Sequence, residues 1–369
     1  MENKRNSTAK MRFACAIIFI VFTYVYVAYY QEDVLAVAQH VLSNGLTDYS
    51  YTFAPLLVTL VCFLLQVGVF ALTGIKRRFH ALTYLPSFLL LALITDVPND
   101  IDVHHSLGAW WFVLPLCLLV WGTGIWTVRQ LEPIETEPHS FGFFSRYTWV
   151  NLMQLVAMML VVTFVASNDR LFHERMRMES LMKKKQYDKA LEVGEKSLET
   201  DSSLTLLRIA CLNETGELGS RLFTYPLVGG SKAMAPDGVT VKAMMWKVPL
   251  WMKGPSAWMV KHHLKYKIPV DYQLCALLLD KQLDKFVAEV RKHYDIRSPK
   301  LPTHYKEALV LYTHRRTHPV IVYHESVMDT DFQDYQKLEH KSAIAIENQT
   351  ALHDTYGNTY WYYYDYGQK

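Results

Sequence analysis

Signatures of chemistry are scarce in this sequence. Five of its 369 residues are cysteine, and none forms a C-x-x-C pair or a zinc-type spacing. There is no G-x-S-x-G, Walker loop, G-x-G-x-x-G or H-E-x-x-H, so the common linear marks of hydrolases, nucleotide enzymes and zincins are missing. A Ser-His-Asp triad is spatial and leaves no such mark. Charged residues make up only 20%, and the net charge of +3 is too slight for a nucleic-acid footprint. What is abundant is apolar: 51% hydrophobic and 13% aromatic, which excludes disorder, collagen and a disulfide scaffold.

The few charges are unevenly placed. Residues 1–167 hold 9 Lys+Arg and 10 Asp+Glu, whereas residues 168–369 hold 29 and 25. The first part contains five long uncharged runs, at about 13–30, 53–74, 79–95, 107–128 and 147–167. Their length matches the hydrocarbon core of a bilayer. The third is the shortest and is interrupted by Pro86. Trp110, Trp111, Trp126 and Trp149 sit near run ends, where amphipathic rings favour the interface. Cys15, Cys62 and Cys117 lie inside the runs as small hydrophobes. The sequence thus predicts a five-span transmembrane domain over 1–167 and a helical extracytoplasmic domain over 168–369.

Orientation follows from Lys and Arg in short loops. Nine precede span one or lie between spans two and three or four and five; loops 31–52 and 96–106 have none. This nine-to-zero split predicts a cytoplasmic N-terminus and a periplasmic C-terminal domain. Arg170, Arg175, Arg177 and Lys183–Lys185 run against the bias, but a large trailing domain crosses with little regard to charge. Ala36-Val37-Ala38 could be a signal-peptide site, yet the preceding run is 18 residues long and Glu32 and Asp33 separate the two, so an uncleaved anchor is expected. Gln66, Asn151 and Gln154 read as helix–helix glue. With no Asp, Glu, Lys or Arg inside a well-defined span, an ion or proton route is disfavoured.

Much of the second part has helical spacing. Met178, Leu181 and Met182 mark one helix. Ala190, Leu191, Val193 and Leu198 mark the next. Asp201 or Ser202 can cap a third through Leu212. The turn Lys185-Gln186-Tyr187-Asp188-Lys189 recurs as Lys281-Gln282-Leu283-Asp284-Lys285, and Gly216-Glu217-Leu218-Gly219 stands at an equivalent turn 31 residues after Lys185. A period of 31–34 residues is that of tetratricopeptide-like solenoids. The fold class expected is therefore all-α, a five-helix transmembrane bundle followed by a tetratricopeptide-like helical domain. Pro226–Asp271 fits no repeat, and only Val320–Tyr323 hints at a strand.

Asn213–Phe223, Pro302–Leu309 and the tail around Thr359-Tyr360-Trp361 together resemble an uncharacterised family of Gram-negative bacterial multi-span inner-membrane proteins with a helical C-terminal domain. The resemblance implies the same architecture and location, and no mechanism.

His314 and His318 share a helical spacing that can hold a metal, but Pro319 ends the helix and Arg315 and Arg316 repel a cation. Asp96, Asp100, Asp102, His104 and His105 crowd one external loop without a calcium-loop pattern. His262 and His263, with Lys261, Lys265, Lys267, Trp251 and Trp258, could lie on a membrane surface. His304 and Glu307 could form an acid–base pair, or Glu307 could serve the helix dipole. No catalytic, cofactor-binding or metal residue is assigned, and no cofactor is expected. The function expected is a membrane-anchored interaction or scaffold protein that docks a cell-envelope partner; the competing expectation is a membrane-embedded enzyme acting on a lipid or glycan at the outer face. The partners expected are the bilayer and a protein of unknown identity, not nucleic acid. The five consecutive aromatics Tyr360–Tyr364 are expected to pack back on their own domain as a cap.

Overall fold

The computed structural model describes residues 2–75, 77–104, 107–131, 146–253 and 267–367; for 2–8, 77 and 131 only the backbone is described. The described residues are helical, with no strand among them. Val320–Tyr323 is irregular chain. The chain divides into two units, Met1–His173 and Glu174–Lys369. The division falls six residues beyond the expected 167/168. Asn168, Asp169 and His173 are held inside the first unit by Tyr30 Oη, Asn99 Nδ2 and the Ser167 carbonyl.

In the first unit, five helices are long and apolar enough to cross a membrane: Ala9–Tyr30, Phe53–Thr73, Arg78–Thr95, Trp110–Gln130 and Arg146–Val165. They are built from α1 (Glu2–Val25) continued by a π-turn, α3 (Phe53–Thr73), α4 (Leu85–Thr95), α5 (Trp110–Leu131) and α6 (Arg146–Val165). The loop expected over 31–52 contains a further helix, α2 (Glu32–Leu42), whose Val34 and Val37 are fully buried. Its alternation of small and apolar residues is too short to read as a span.

The third span is the informative one. A 3-10 stretch, Arg77–Tyr84, leads into α4, with Pro86 in the first turn, where the missing N–H costs no hydrogen bond. A change of helix type strands backbone groups, and in lipid each needs a partner. Side chains supply two of them: Asn151 Oδ1 accepts the Ala81 N–H at 2.7 Å and Thr83 Oγ1 donates to the His80 carbonyl at 2.7 Å. Two further bonds tie the span to α3: Ser87 Oγ donates to the Cys62 carbonyl at 2.7 Å and Gln66 Nε2 donates to Thr83 Oγ1 at 3.1 Å. Gln66 and Asn151 are thus the interhelical glue that the sequence predicts. Phe19 fills the centre of the bundle, 4.9 Å from the Tyr84 ring and edge-on to Phe88.

Helix α5 differs from the rest. Most of its side chains are exposed, and polar ties attach it to the α3–α4 side. Trp110 Nε1 donates to Asp96 Oδ2 at 2.8 Å, Trp121 Nε1 to the Leu82 carbonyl at 2.9 Å, and Arg129 Nη2 to the Leu72 carbonyl at 2.7 Å. Arg129 also bonds the Thr73 carbonyl, so a guanidinium caps the negative end of α3.

The second unit comprises α7 (Arg170–Lys183, entered from the first unit), α8 (Tyr187–Glu192), α9 (Ser202–Thr215), α10 (Leu218–Arg221), α11 (Val270–Leu279), α12 (Leu283–His293), α13 (Thr303–Arg315), α14 (Ser326–Glu339), α15 (Ala345–Tyr356) and α16 (Tyr360–Tyr366). Three inter-helix turns repeat one geometry. Lys185, Gly216 and Lys281 have φ of +58°, +75° and +58°. In each case the following residue donates its N–H to a carbonyl five residues back: Gln186 to Leu181 at 3.0 Å, and Glu217 to Leu212 and Gln282 to Leu277 both at 2.9 Å. Leu191, Leu207, Leu222 and Leu279 are all buried, as a stacked array requires. Helix α8 is shorter than its spacing predicts. Gly194, at φ +63°, ends it, and Leu198 is exposed.

Candidate functional site

On the first unit, the acidic loop after α4 is tied up locally. Asp96 closes α4 and accepts the Trp110 indole; Asp100 Oδ2 meets His104 Nδ1 at 2.8 Å; Asn99 Nδ2 reaches Asp169 Oδ2 at 2.5 Å. The loop turns through bonds from Ile101 N–H to the Pro98 carbonyl and from His104 N–H to the Asp100 carbonyl. Asp96, Asp100 and Asp169 thus each have a partner of their own. His105 lies outside the described residues.

Below Asp96 opens a cavity of about 390 Å³. Its floor is α4 (Phe88, Ala92), one wall is α5 (Val113, Cys117) and the other is α6 (Ala157, Val161), with Asp96 and Trp110 at one end. The volume lies within the roughly 300–1,000 Å³ range of small-molecule sites. No sequence signal marked it, because its lining comes from three helices that only the fold brings together.

In the second unit, charges are buried in knots. Glu179 is fully buried on α7. Its Oε2 accepts three successive backbone N–H groups, from Met244, Met245 and Trp246, at 2.7, 2.6 and 3.0 Å. Burial pushes its carboxyl above the usual range, against the pull of those amides and of Arg175. One turn earlier, Arg175 Nη1 pairs with Asp201 Oδ2 at 3.3 Å, and Asp201 Oδ1 caps α9 at the Leu204 N–H. Arg208, also buried, spans three loop segments through Thr200 Oγ1 and the carbonyls of Pro226 and Gly194, and lies 5.4 Å over the Tyr225 ring. These groups fasten the irregular 226–252 segment to the helices. Sequence reasoning missed them, since their partners are chosen in space.

His304 and Glu307 do come together. The Phe223 N–H donates to His304 Nε2 at 3.2 Å, which places the imidazole proton on Nδ1, 2.9 Å from Glu307 Oε2. The same Oε2 accepts the Tyr360 N–H at 2.7 Å, and Trp361 Nε1 donates to the Glu307 carbonyl at 2.8 Å. Both side chains are nearly inaccessible. With its lone pair spent on a backbone amide, His304 is a clamp for the C-terminal tail rather than a base open to substrate. Nearby, Tyr294 and Tyr305 both donate to Asp271 Oδ1, at 2.6 and 2.8 Å.

His314 and His318 do not share a helix face, because α13 stops at Arg315 and His318 lies in the following bend. His314 instead faces Asp329 at 3.6 Å, and no group of three metal-ligating side chains occurs among the described residues. Residues 254–266, with Trp258, Lys261, His262, His263 and Lys265, lie outside the described residues; Trp251 packs edge-on against Tyr272.

Residues 255–367 match a family of unknown function (DUF6057). The match covers less than a third of the chain and lies in the helical unit. No curated protein and no solved structure matches. What is in hand is an α-helical chain with five membrane-compatible helices, similar over its C-terminal region to an uncharacterised family.

Proposed function

We propose that this chain is a membrane-anchored docking protein of the bacterial inner membrane. The nine-to-zero Lys/Arg bias supports a cytoplasmic N-terminus and a periplasmic helical unit. A tetratricopeptide-like array on that unit engages a protein partner of the cell envelope. One observation carries the reading. The sequence of the turn at Lys185–Lys189 recurs at Lys281–Lys285, and both copies adopt the same left-handed helix end, as repeated units of a helical array do. Such arrays present extended surfaces, and their usual work is binding.

The test uses the full chain in its native membrane. A photo-cross-linking residue replaces Lys189 or Lys285, which are exposed and occupy the same position of the two recurring turns. Capture of one and the same envelope protein from both positions, and not from Leu42 of the first unit, is expected. Cross-linking to lipid alone, or to unrelated proteins from the two positions, would overturn the docking reading.

A further inference from the structure

The cavity between α5 and α6 lies among helices long and apolar enough to cross a membrane. Its walls are apolar, and the helices that bound it carry exposed Val113 and Val161 toward the surroundings. In a membrane, those surroundings are lipid chains. Water gains nothing there, because a buried water needs polar partners and the lining offers almost none. The polar groups lie at one end only. There the Asp96 carboxylate and the Trp110 ring stand together, joined by the 2.8 Å indole bond, and Asp96 is exposed, so it has acceptor capacity for a further donor. The indole N–H lies in the ring plane, so the carboxylate meets the edge of the ring and keeps its other side open, and an exposed carboxylate at the mouth of an apolar cleft receives an ammonium group by charge. Asp96 directly follows the apolar helix that ends at Thr95, so it stands at headgroup level whichever way the chain is inserted. Hydrocarbon below and ammonium above describe one molecule.

We propose that the α5–α6 cleft holds one acyl chain of a bilayer phospholipid whose ammonium headgroup rests on Asp96 and Trp110. The lipid completes the packing of α5, which protein contacts leave largely exposed. No bond is made or broken.

The experiment reconstitutes the full chain in vesicles of equal phosphatidylethanolamine and phosphatidylglycerol, extracts it in mild detergent and identifies retained lipid by native mass spectrometry. One phosphatidylethanolamine per chain is expected, favoured over phosphatidylglycerol by about two- to fivefold, the scale of one exposed charge pair. Ala157→Trp fills the cleft and should abolish retention. Asp96→Asn keeps an acceptor for Trp110 and should retain a lipid without headgroup preference. Should Ala157→Trp fail to fold, N-ethylmaleimide on Cys117 of the folded wild-type protein fills the same space; the other four cysteines are buried. Retention unchanged by either filling, or no lipid on the wild type, overturns the site. Unchanged preference in Asp96→Asn overturns the headgroup assignment. A wild-type dimer that dissociates on alkylation means that a second copy occupies the cleft, which also overturns the proposal.

Discussion

Lys185 and Lys281 stand 96 residues apart and adopt the same left-handed backbone, φ +58°, each at the turn between two helices. A non-glycine residue pays about 1–2 kcal/mol for that conformation. The two lysines then differ in what they do. Lys281 Nζ donates to the Gly367 carbonyl at 2.9 Å and lies 5.6 Å over the Tyr363 ring, so it also fastens the tail. Lys185 is exposed. Lys185→Gly should therefore raise stability by up to about 1 kcal/mol, strain relief being partly offset by chain entropy. Lys281→Gly should be neutral or destabilising. Gly216 has open space around the position of a Cβ, so Gly216→Ala tests φ alone and should cost about 1 kcal/mol. The readout is the temperature at which Cys211 and Cys275, buried in the full chain in detergent, become reactive to maleimide.

Those turns were legible because each is a local code, a lysine or glycine closing one helix and a polar residue opening the next. The five apolar runs were legible for the same reason, since length and composition alone define them. Glu179 was not. It bonds amides 65–67 residues away, and nothing near it in sequence announces them. Nor was the boundary of α13, which ends at Arg315 although His318 keeps the helical spacing. Helix α2 was hidden because polar ends and small residues make it look like a loop. The cleft was not legible either, because it is lined from α4, α5 and α6 together, and the partners of Trp110, Trp121 and Arg129 lie 14, 39 and 57 residues away.

Glu179 gives the second unit a pH signature. Its folded carboxyl holds its proton to higher pH than the unfolded one, because burial opposes the charge. The folded state therefore binds more protons over the interval between the ordinary Glu value and the raised one, and stability falls as pH rises through it. Glutamine cannot ionise but still offers an oxygen to the Met244–Trp246 amides. The melting temperature of Glu179→Gln relative to wild type should thus increase from pH 5 to pH 8, followed by near-ultraviolet circular dichroism of the full chain. A difference that shrinks with pH would mean that the three amides and Arg175 outweigh burial.

Orientation has a clean probe. Cys211 and Cys275 are buried, and burial pushes both thiols up, so neither reacts in the folded protein. Asp201 is unsuitable for a reporter cysteine because it caps α9 and pairs with Arg175. Lys189 is exposed and makes no such tie. In intact spheroplasts, Lys189→Cys on a Cys117→Ser background should react with a membrane-impermeant maleimide while the Cys117→Ser parent, whose remaining cysteines are buried, stays silent. Reaction only after lysis reverses the topology.

The C-terminal tail closes the helical unit on itself, and its energetics can be separated into apolar and polar parts. Tyr360 and Trp361 are buried, Trp361 packs edge-on to Phe332 at 5.0 Å, and Tyr363 Oη donates to the Leu279 carbonyl at 2.9 Å. Thr359 caps α16 at the Tyr362 N–H, which fixes where the tail turns inward. Trp361→Ala should cost about 3–5 kcal/mol, the range for emptying a large buried ring. Trp361→Phe keeps most of the ring but loses the indole bond to the Glu307 carbonyl, and should cost about 1–3 kcal/mol for the lost hydrogen bond together with the missing atoms. Glu307→Ala removes the acceptor shared by His304 and the Tyr360 N–H, and should loosen the tail without emptying the core. Hydrogen exchange of peptides covering 359–367 in the full chain distinguishes these cases. All three variants should lose protection there, with Trp361→Ala also lowering the temperature at which Cys275 becomes reactive. Protection that survives Trp361→Ala would show that the ring does not anchor the tail, and the capping role would pass to Tyr360 and Tyr363.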